Sequence, residues 1–135
     1  MSTVGAFLSK EDAATIEGLF QTLFRLVRAG DWAGDAALWA EEGVVHPPNG
    51  PAVRGRSAIR QWHESFPPIE RINFSNLQVF GEGNVAYATY GYSLKITDLP
   101  ADTGKALAVV RRGASGWEFV VASYNSDLSA PGQAQ

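Results

Sequence analysis

The sequence predicts a single α+β domain, helices first and strands after. Three observations carry that expectation. Apolar residues recur three and four apart through the first half of the chain, they alternate through the second half, and glycine-containing turns separate the alternating runs. At 135 residues the chain has room for one core, and its 45% hydrophobic content, with four Trp, seven Phe and four Tyr, can fill it without a metal or disulfide. Residues 1–127 are expected to form the domain and 128–135 a flexible tail.

Ser9 and Asp12 stand at capping-box spacing, with Asp in place of Glu, so a helix is expected over 11–29. Ile16, Leu19, Phe20, Leu23, Phe24 and Val27 make its apolar face. Gly30 closes it, and Asp31 can cap a shorter helix that carries Trp32 and Trp39 on one side and ends by Gly43. A short strand at 44–46 is stopped by the turn residues Pro47, Pro48, Asn49, Gly50 and Pro51. Ser57 is a good cap for a third helix, with Ile59, Trp62 and Phe66 as its apolar stripe and Pro67–Pro68 as its end. Strands are expected at 71–80, 85–97, 105–112 and 117–125, joined in an antiparallel meander. Alternation slips between Phe74 and Leu77, which suggests a bulge near Ser75–Asn76.

Composition removes several classes of function. There is no cysteine, so disulfides, thiolate catalysis and Cys-ligated zinc are out. The formal charge is −3 and the eleven Lys and Arg are scattered, so no nucleic-acid surface is expected. No stretch reaches the roughly 20 apolar residues of a membrane span. The first residues lack a basic segment followed by an apolar run, which makes the cytoplasm the expected compartment. Two histidines without suitable carboxylate spacing predict no metal site, and no cofactor is expected.

Three stretches sharpen the reading. They are Arg28-Ala29-Gly30-Asp31-Trp32, Leu38 through Pro47 (LWAEEGVVHP), and Val53-Arg54-Gly55-Arg56-Ser57-Ala58-Ile59-Arg60. With Gly116-Trp117-Glu118-Phe119 and Tyr124-Asn125-Ser126-Asp127 they resemble the ketosteroid-isomerase-like, SnoaL-like family of the nuclear transport factor 2-like superfamily, over about 11–127. The resemblance implies a cone: three N-terminal helices packed on a curved, mainly antiparallel sheet, with a cavity between them. It also implies a homodimer formed through the sheet face. Function does not follow, because that superfamily holds enzymes, transport factors and association domains. Of the steroid isomerases' groups, the general-base position falls on His46, the oxyanion tyrosine on Leu23 and the second oxyanion acid on Ala108. Two of three roles are absent, so steroid isomerisation by that mechanism is not expected.

The resemblance puts His46 at the cavity wall, and an imidazole can take or give a proton near neutral pH. His46 is therefore the candidate catalytic acid–base, against the alternative of a histidine that only shapes the pocket. His63 is expected at the exposed edge of the third helix. Alternation places Trp117, Phe119, Val121, Ser123 and Asn125 on one face of the last strand, which the family comparison turns into the cavity. Asn125 would then orient a carbonyl or hydroxyl, or else cap a strand-end turn. Asp127 is a rim acid or a solvated terminal carboxylate. Leu23, Trp62 and Phe66 would supply apolar walls. On strand 85–97 the alignment turns the odd positions inward and leaves Tyr90 and Tyr92 on the outer, dimerising face; a shift of one residue would put them in the pocket. Arg54 and Arg56 either attract an anion or hold their loop. The expected ligand is a small apolar or carbonyl-bearing molecule. The expected roles are a cofactor-independent isomerase, lyase or cyclase, a non-catalytic binder, or a protein-association module.

Overall fold

Helix α1 (Lys10–Ala29) starts at Ser9, whose hydroxyl accepts the Asp12 backbone N–H at 3.0 Å, and stops at Gly30. The computed structural model describes residues 8–129, so the extreme N-terminus and residues 130–135 of the expected tail lie outside the described residues. Helix α2 (Trp32–Ala37) is capped by the Asp31 carboxylate on the Gly34 N–H, at 2.8 Å. It ends before Trp39, which opens strand β1 (Trp39–His46) instead of sharing a helical face with Trp32. Tertiary pairing overrides the helical spacing: Trp39 registers with Phe119, whose N–H donates to the Leu38 carbonyl at 3.0 Å. A two-residue strand that periodicity does not reveal, β2 (Val53–Arg54), pairs back on β1.

Helix α3 (Arg56–Glu64) is capped by Gly55 and not by Ser57. Gly55 adopts φ 95°, open in practice only to glycine, and its carbonyl takes the Ile59 N–H at 2.9 Å. Four long strands follow, β3 (Ile69–Glu82), β4 (Val85–Ile96), β5 (Asp102–Gly113) and β6 (Gly116–Ser126). The sheet order is β2-β1-β6-β5-β4-β3; β1 and β6 run parallel and every other neighbour is antiparallel. Strand β5 starts at Asp102, inside the stretch expected to be loop.

Two bulges set which side chains face the helices. In β3 the register shifts between Ser75 and Gln78, with Asn76 at φ 56°, where the broken alternation places it. In β6 Val121 pairs with Val109 but Phe119 pairs with Val110, leaving Val120 as an extra residue. That residue reverses the alternation, because side-chain direction has a period of two. Trp117 and Phe119 face inward, and beyond the bulge so do Ala122, Tyr124 and Ser126. Val121, Ser123 and Asn125 are thereby turned to the outer face, contrary to the alternation of the sequence. On β4 the even positions Ala86, Ala88 and Tyr90 are buried, so the tyrosines lie on the inner face and not the outer one.

The core lies between α1 and this inner face. Ala86, Ala88, Ala106, Ala108 and Ala122 form a shallow floor that admits the bulk of Ile16, Phe20 and Phe24. The Phe20 ring meets Phe119 edge-on at 5.0 Å, and Phe24 stacks on Phe74 at 4.1 Å. Large residues from the helix against alanines from the sheet fill the inner end of the cone. Toward the other end the strands carry Tyr90, Tyr92, Leu94 and Ile96, and there the packing leaves a space. No helix among the described residues is long and apolar enough to cross a membrane.

Candidate functional site

That space is a cavity of about 650 Å³ between helices and sheet. Leu23, Trp39, Trp62, Phe66, Ile72 and Phe74 contribute to its walls, so Leu23, Trp62 and Phe66 stand where the apolar walls were expected. Its mouth is bounded by residues 47–51, by 99–101, and by Leu128 and Ser129. The first two residues of the expected tail thus rest against the cavity, and the Leu128 N–H donates to the Ser126 hydroxyl at 3.0 Å. Phe66, Leu99 and Leu128 are exposed around this opening, which makes the entrance apolar.

Polar groups meet the cavity in two places. Deeper in, His63 Nδ1 lies 3.2 Å from Asp35 Oδ2. Asp35 is only 1% exposed, and it is the one buried charged residue among the described residues. The His63 ring stacks on Trp32, with centroids 4.6 Å apart and planes 7° from parallel, and tilts against Trp62. His63 is therefore held between α2 and α3 and is not at an exposed helix edge. The approach angle is off-line, so neither Nδ1 nor Oδ2 completes a hydrogen bond. Such looseness is common in catalytic pairs before a ligand closes them.

Facing this pair from the sheet, the Tyr90 and Tyr124 phenols project into the cavity from one cross-strand row. Burial pushes both well above the usual phenol range, and the negative charge of Asp35 adds to the shift. Both phenols stay neutral and keep their protons at any ordinary pH.

One pleat closer to the mouth, Asp102 accepts the Tyr92 hydroxyl at 3.3 Å on Oδ2 and the Ser126 hydroxyl at 2.5 Å on Oδ1. Burial and the Asp102 charge raise the Tyr92 phenol in turn. Tyr92 can lie across β5 because its cross-strand partner is Gly104. A Cβ there would sit 2.5 Å from the Tyr92 hydroxyl and closer still to the Asn125 carbonyl. Gly104→Ala should therefore dislodge Tyr92 and cost about 1–3 kcal/mol, as overpacking does, measurable by urea unfolding. An unchanged midpoint would mean that the ring is not packed against this glycine.

The remaining candidates lie elsewhere. His46 is exposed at the end of β1, on the outer side, because its neighbour Val45 is the fully buried one. The resemblance gives the right strand, but the side chain points away from the cavity wall where it was expected. Val121, Ser123 and Asn125 share that outer face. Asp127 is exposed and ion-paired with Lys105 at 2.7 Å. Arg54 is exposed, while Arg56 donates from Nε and Nη2 to the Trp39 carbonyl at 2.9 and 2.6 Å, pinning the start of β1. No cluster of His, Asp or Glu suited to a metal occurs among the described residues.

Asp35, Asp102, Tyr124 and Ser126 were missed as candidate site residues, and Tyr90 and Tyr92 stand in the pocket, the alternative that the one-residue shift allowed. A signal existed for the dyad: His63 follows the buried Ile59 by four residues, and Asp35 follows Trp32 by three, so each shares a face with an apolar neighbour.

The architecture has known counterparts. An uncharacterised NTF2-like protein from Pseudomonas putida KT2440 superposes with a TM-score of 0.80 at 19% identity, covering 94% of each chain. A ketosteroid isomerase-like protein from Erwinia carotovora atroseptica SCRI1043 gives 0.74 at 17% identity, over 90% of this chain and all (100%) of that one. A proposed dehydratase of the NTF2-like family from Streptomyces avermitilis gives 0.76 at 16% identity, again over 90% and 100%. No curated protein sequence matches the chain. The solved structures show that the fold is the NTF2-like one, and the SnoaL-like domain model matches residues 20–122, most of the chain, so the chain belongs to the SnoaL-like family.

Proposed function

We propose that this protein is a cofactor-independent isomerase or lyase acting on a small, largely apolar carbonyl compound. His63 is its acid–base and takes the role that the family resemblance implied for His46. The observation that carries this reading is the Asp35–His63 pair set into the wall of an otherwise apolar cavity. With Nδ1 turned to Asp35, Nε2 is the ring nitrogen left to meet a ligand. Asp35 would fix the imidazole's orientation and stabilise its protonated form. The Tyr90–Tyr124 pair supplies neutral hydrogen-bond donors for a carbonyl oxygen that gains negative charge as an adjacent C–H bond breaks. The proton on His63 then returns to another carbon, which is isomerisation, or protonates a departing β-hydroxyl, which leaves as water. The proposed dehydratase among the fold relatives belongs to the second class.

The test requires no knowledge of the product. Cyclic ketones and β-hydroxyketones are incubated with the protein in D2O, and deuterium at the α-carbon is followed by mass spectrometry. Enzyme-dependent exchange supports the reading. Binding without exchange across the panel would favour the non-catalytic binder instead.

We also propose a homodimer through the outer sheet face. Cross-strand registers line up Phe80, Tyr87, Val109 and Val121 there, and Val85, Tyr87 and Leu107 are exposed. Light scattering at micromolar concentration should give the dimer mass, and Leu107→Glu should give the monomer. A monomeric wild-type protein would refute it.

A further inference from the structure

The cavity contains a carboxylate at two levels and no lysine or arginine among the residues that line it. The inner one is Asp35, whose Oδ2 is buried and lacks a completed hydrogen bond. The outer one is Asp102, gathered with Tyr92 and Ser126. Registers give their relative depth. Tyr90, Ala106 and Tyr124 form one row across the sheet, and Tyr92, Gly104 and Ser126 form the next. Successive rows on one face are about 7 Å apart.

From this arrangement we propose that the natural ligand bears a hydrogen-bond donor, a hydroxyl or a protonated amine, at its mouth end, which Asp102 holds. We propose further that the cavity rejects carboxylates and phosphates. The inference rests on the cavity being a ligand site, as argued above. An ionised carboxylate accepts at about four positions. Ser126 fills one with a short bond and Tyr92 fills another at 3.3 Å, a long contact that an entering donor can displace. The room left on Asp102 is for a proton donor only.

An anion entering near Asp102 would find no lysine or arginine to pair with. Lys105 is committed to Asp127 at 2.7 Å, and Lys95 donates to the Ile96 carbonyl at 2.9 Å. Arg28 lies over the Phe74 ring at 5.4 Å. None of these side chains lines the cavity. An entering anion would therefore lose its hydration and meet like charge. The apolar entrance of Phe66, Leu99 and Leu128 suits a ligand whose middle is hydrophobic.

The experiment uses one bicyclic ketone scaffold carrying, at the end far from the ketone, a hydroxyl, a primary amine, a methoxy group or a carboxylate. Dissociation constants are measured by calorimetry on the full chain. Wild-type protein should bind the hydroxyl and amine compounds at least tenfold more tightly than the methoxy compound, with the carboxylate weakest. Asp102→Asn keeps an acceptor for Ser126 but removes the charge, and should shrink the amine–carboxylate gap at least tenfold while leaving the methoxy compound unchanged. Tyr92→Phe frees one acceptor position and should strengthen the hydroxyl and amine compounds alone. If the four bind alike and neither substitution alters their ranking, this inference falls and the cavity stands. If nothing in the series binds wild type, the ligand-site reading falls with it.

Discussion

His63→Gln should slow α-proton exchange by about 10²–10⁴-fold, the usual contribution of a positioned general base, while ligand affinity changes little. Glutamine keeps bulk and a polar tip in the slot beside Trp32 but cannot act as a base, so the loss falls on turnover. Asp35→Asn should cost less. An amide can satisfy either imidazole tautomer, so the ring is oriented more weakly and its protonated form loses a counter-charge. His46→Ala should leave exchange unchanged, since His46 projects from the opposite side of β1. The three variants separate the readings. A dead His46 variant beside an active His63 variant would return the acid–base role to β1 and overturn the site described here. Circular dichroism of each variant shows whether a loss is chemical or a failure to fold.

The outline of this fold was legible in the sequence because helical and alternating periods are each set by which residues must be buried. The α1 cap at Ser9 and the β3 bulge left local marks: a hydroxyl at the right spacing and a slip in alternation. The site was less legible because one-residue events decide it. In β6 the bulge falls within Phe119-Val120-Val121, three strand formers with no glycine or proline to mark it. It nonetheless exchanges Val121, Ser123 and Asn125 for Ala122, Tyr124 and Ser126 on the inner face. His46 is displaced by a single residue too: the resemblance carried its strand position correctly but turned its side chain to the cavity side, where the buried Val45 points instead. Asp35 and His63 failed for a different reason. His63 read as the exposed edge of a helix and Asp35 carried no mark of its own, and only the packing of α2 against α3 brings them together.

These corrections change the chemistry expected of the cavity. The sequence reading offered a lone histidine with an asparagine and no oxyanion partner, a weak catalyst at best. The folded chain instead brings a carboxylate–imidazole pair opposite two phenols, with all four groups on different elements: α2, α3, β4 and β6. Each comes from a rigid helix or strand and not from a loop, which favours precise positioning. The resemblance puts Leu23 and Ala108 where the steroid isomerases keep their oxyanion groups; on the mechanism proposed above, Tyr90 and Tyr124 supply the donors from the sheet instead.

Those two phenols should also make the protein sensitive to alkali. A tyrosine in the unfolded chain releases its proton near pH ~10, whereas burial holds the folded Tyr90 and Tyr124 protonated well above that value. Below pH ~10 both states are neutral and the phenols contribute no pH dependence. Above it the unfolded chain ionises and the folded one does not, so unfolding is favoured by about 1.4 kcal/mol per pH unit for each phenol, until the folded phenols ionise too. Urea unfolding between pH 9 and 11.5 should show this steep decline. Tyr90→Phe should lose about one phenol's share of the slope, and Tyr90→Phe with Tyr124→Phe about two. Removing a hydroxyl also changes packing and solvation at neutral pH, so the slopes carry the information and the absolute stabilities do not. All other groups are common to the variants and cancel in the comparison. Equal slopes in the wild type and the double variant would mean that the phenols are solvated, and the proposed donors for the substrate carbonyl would be lost with them.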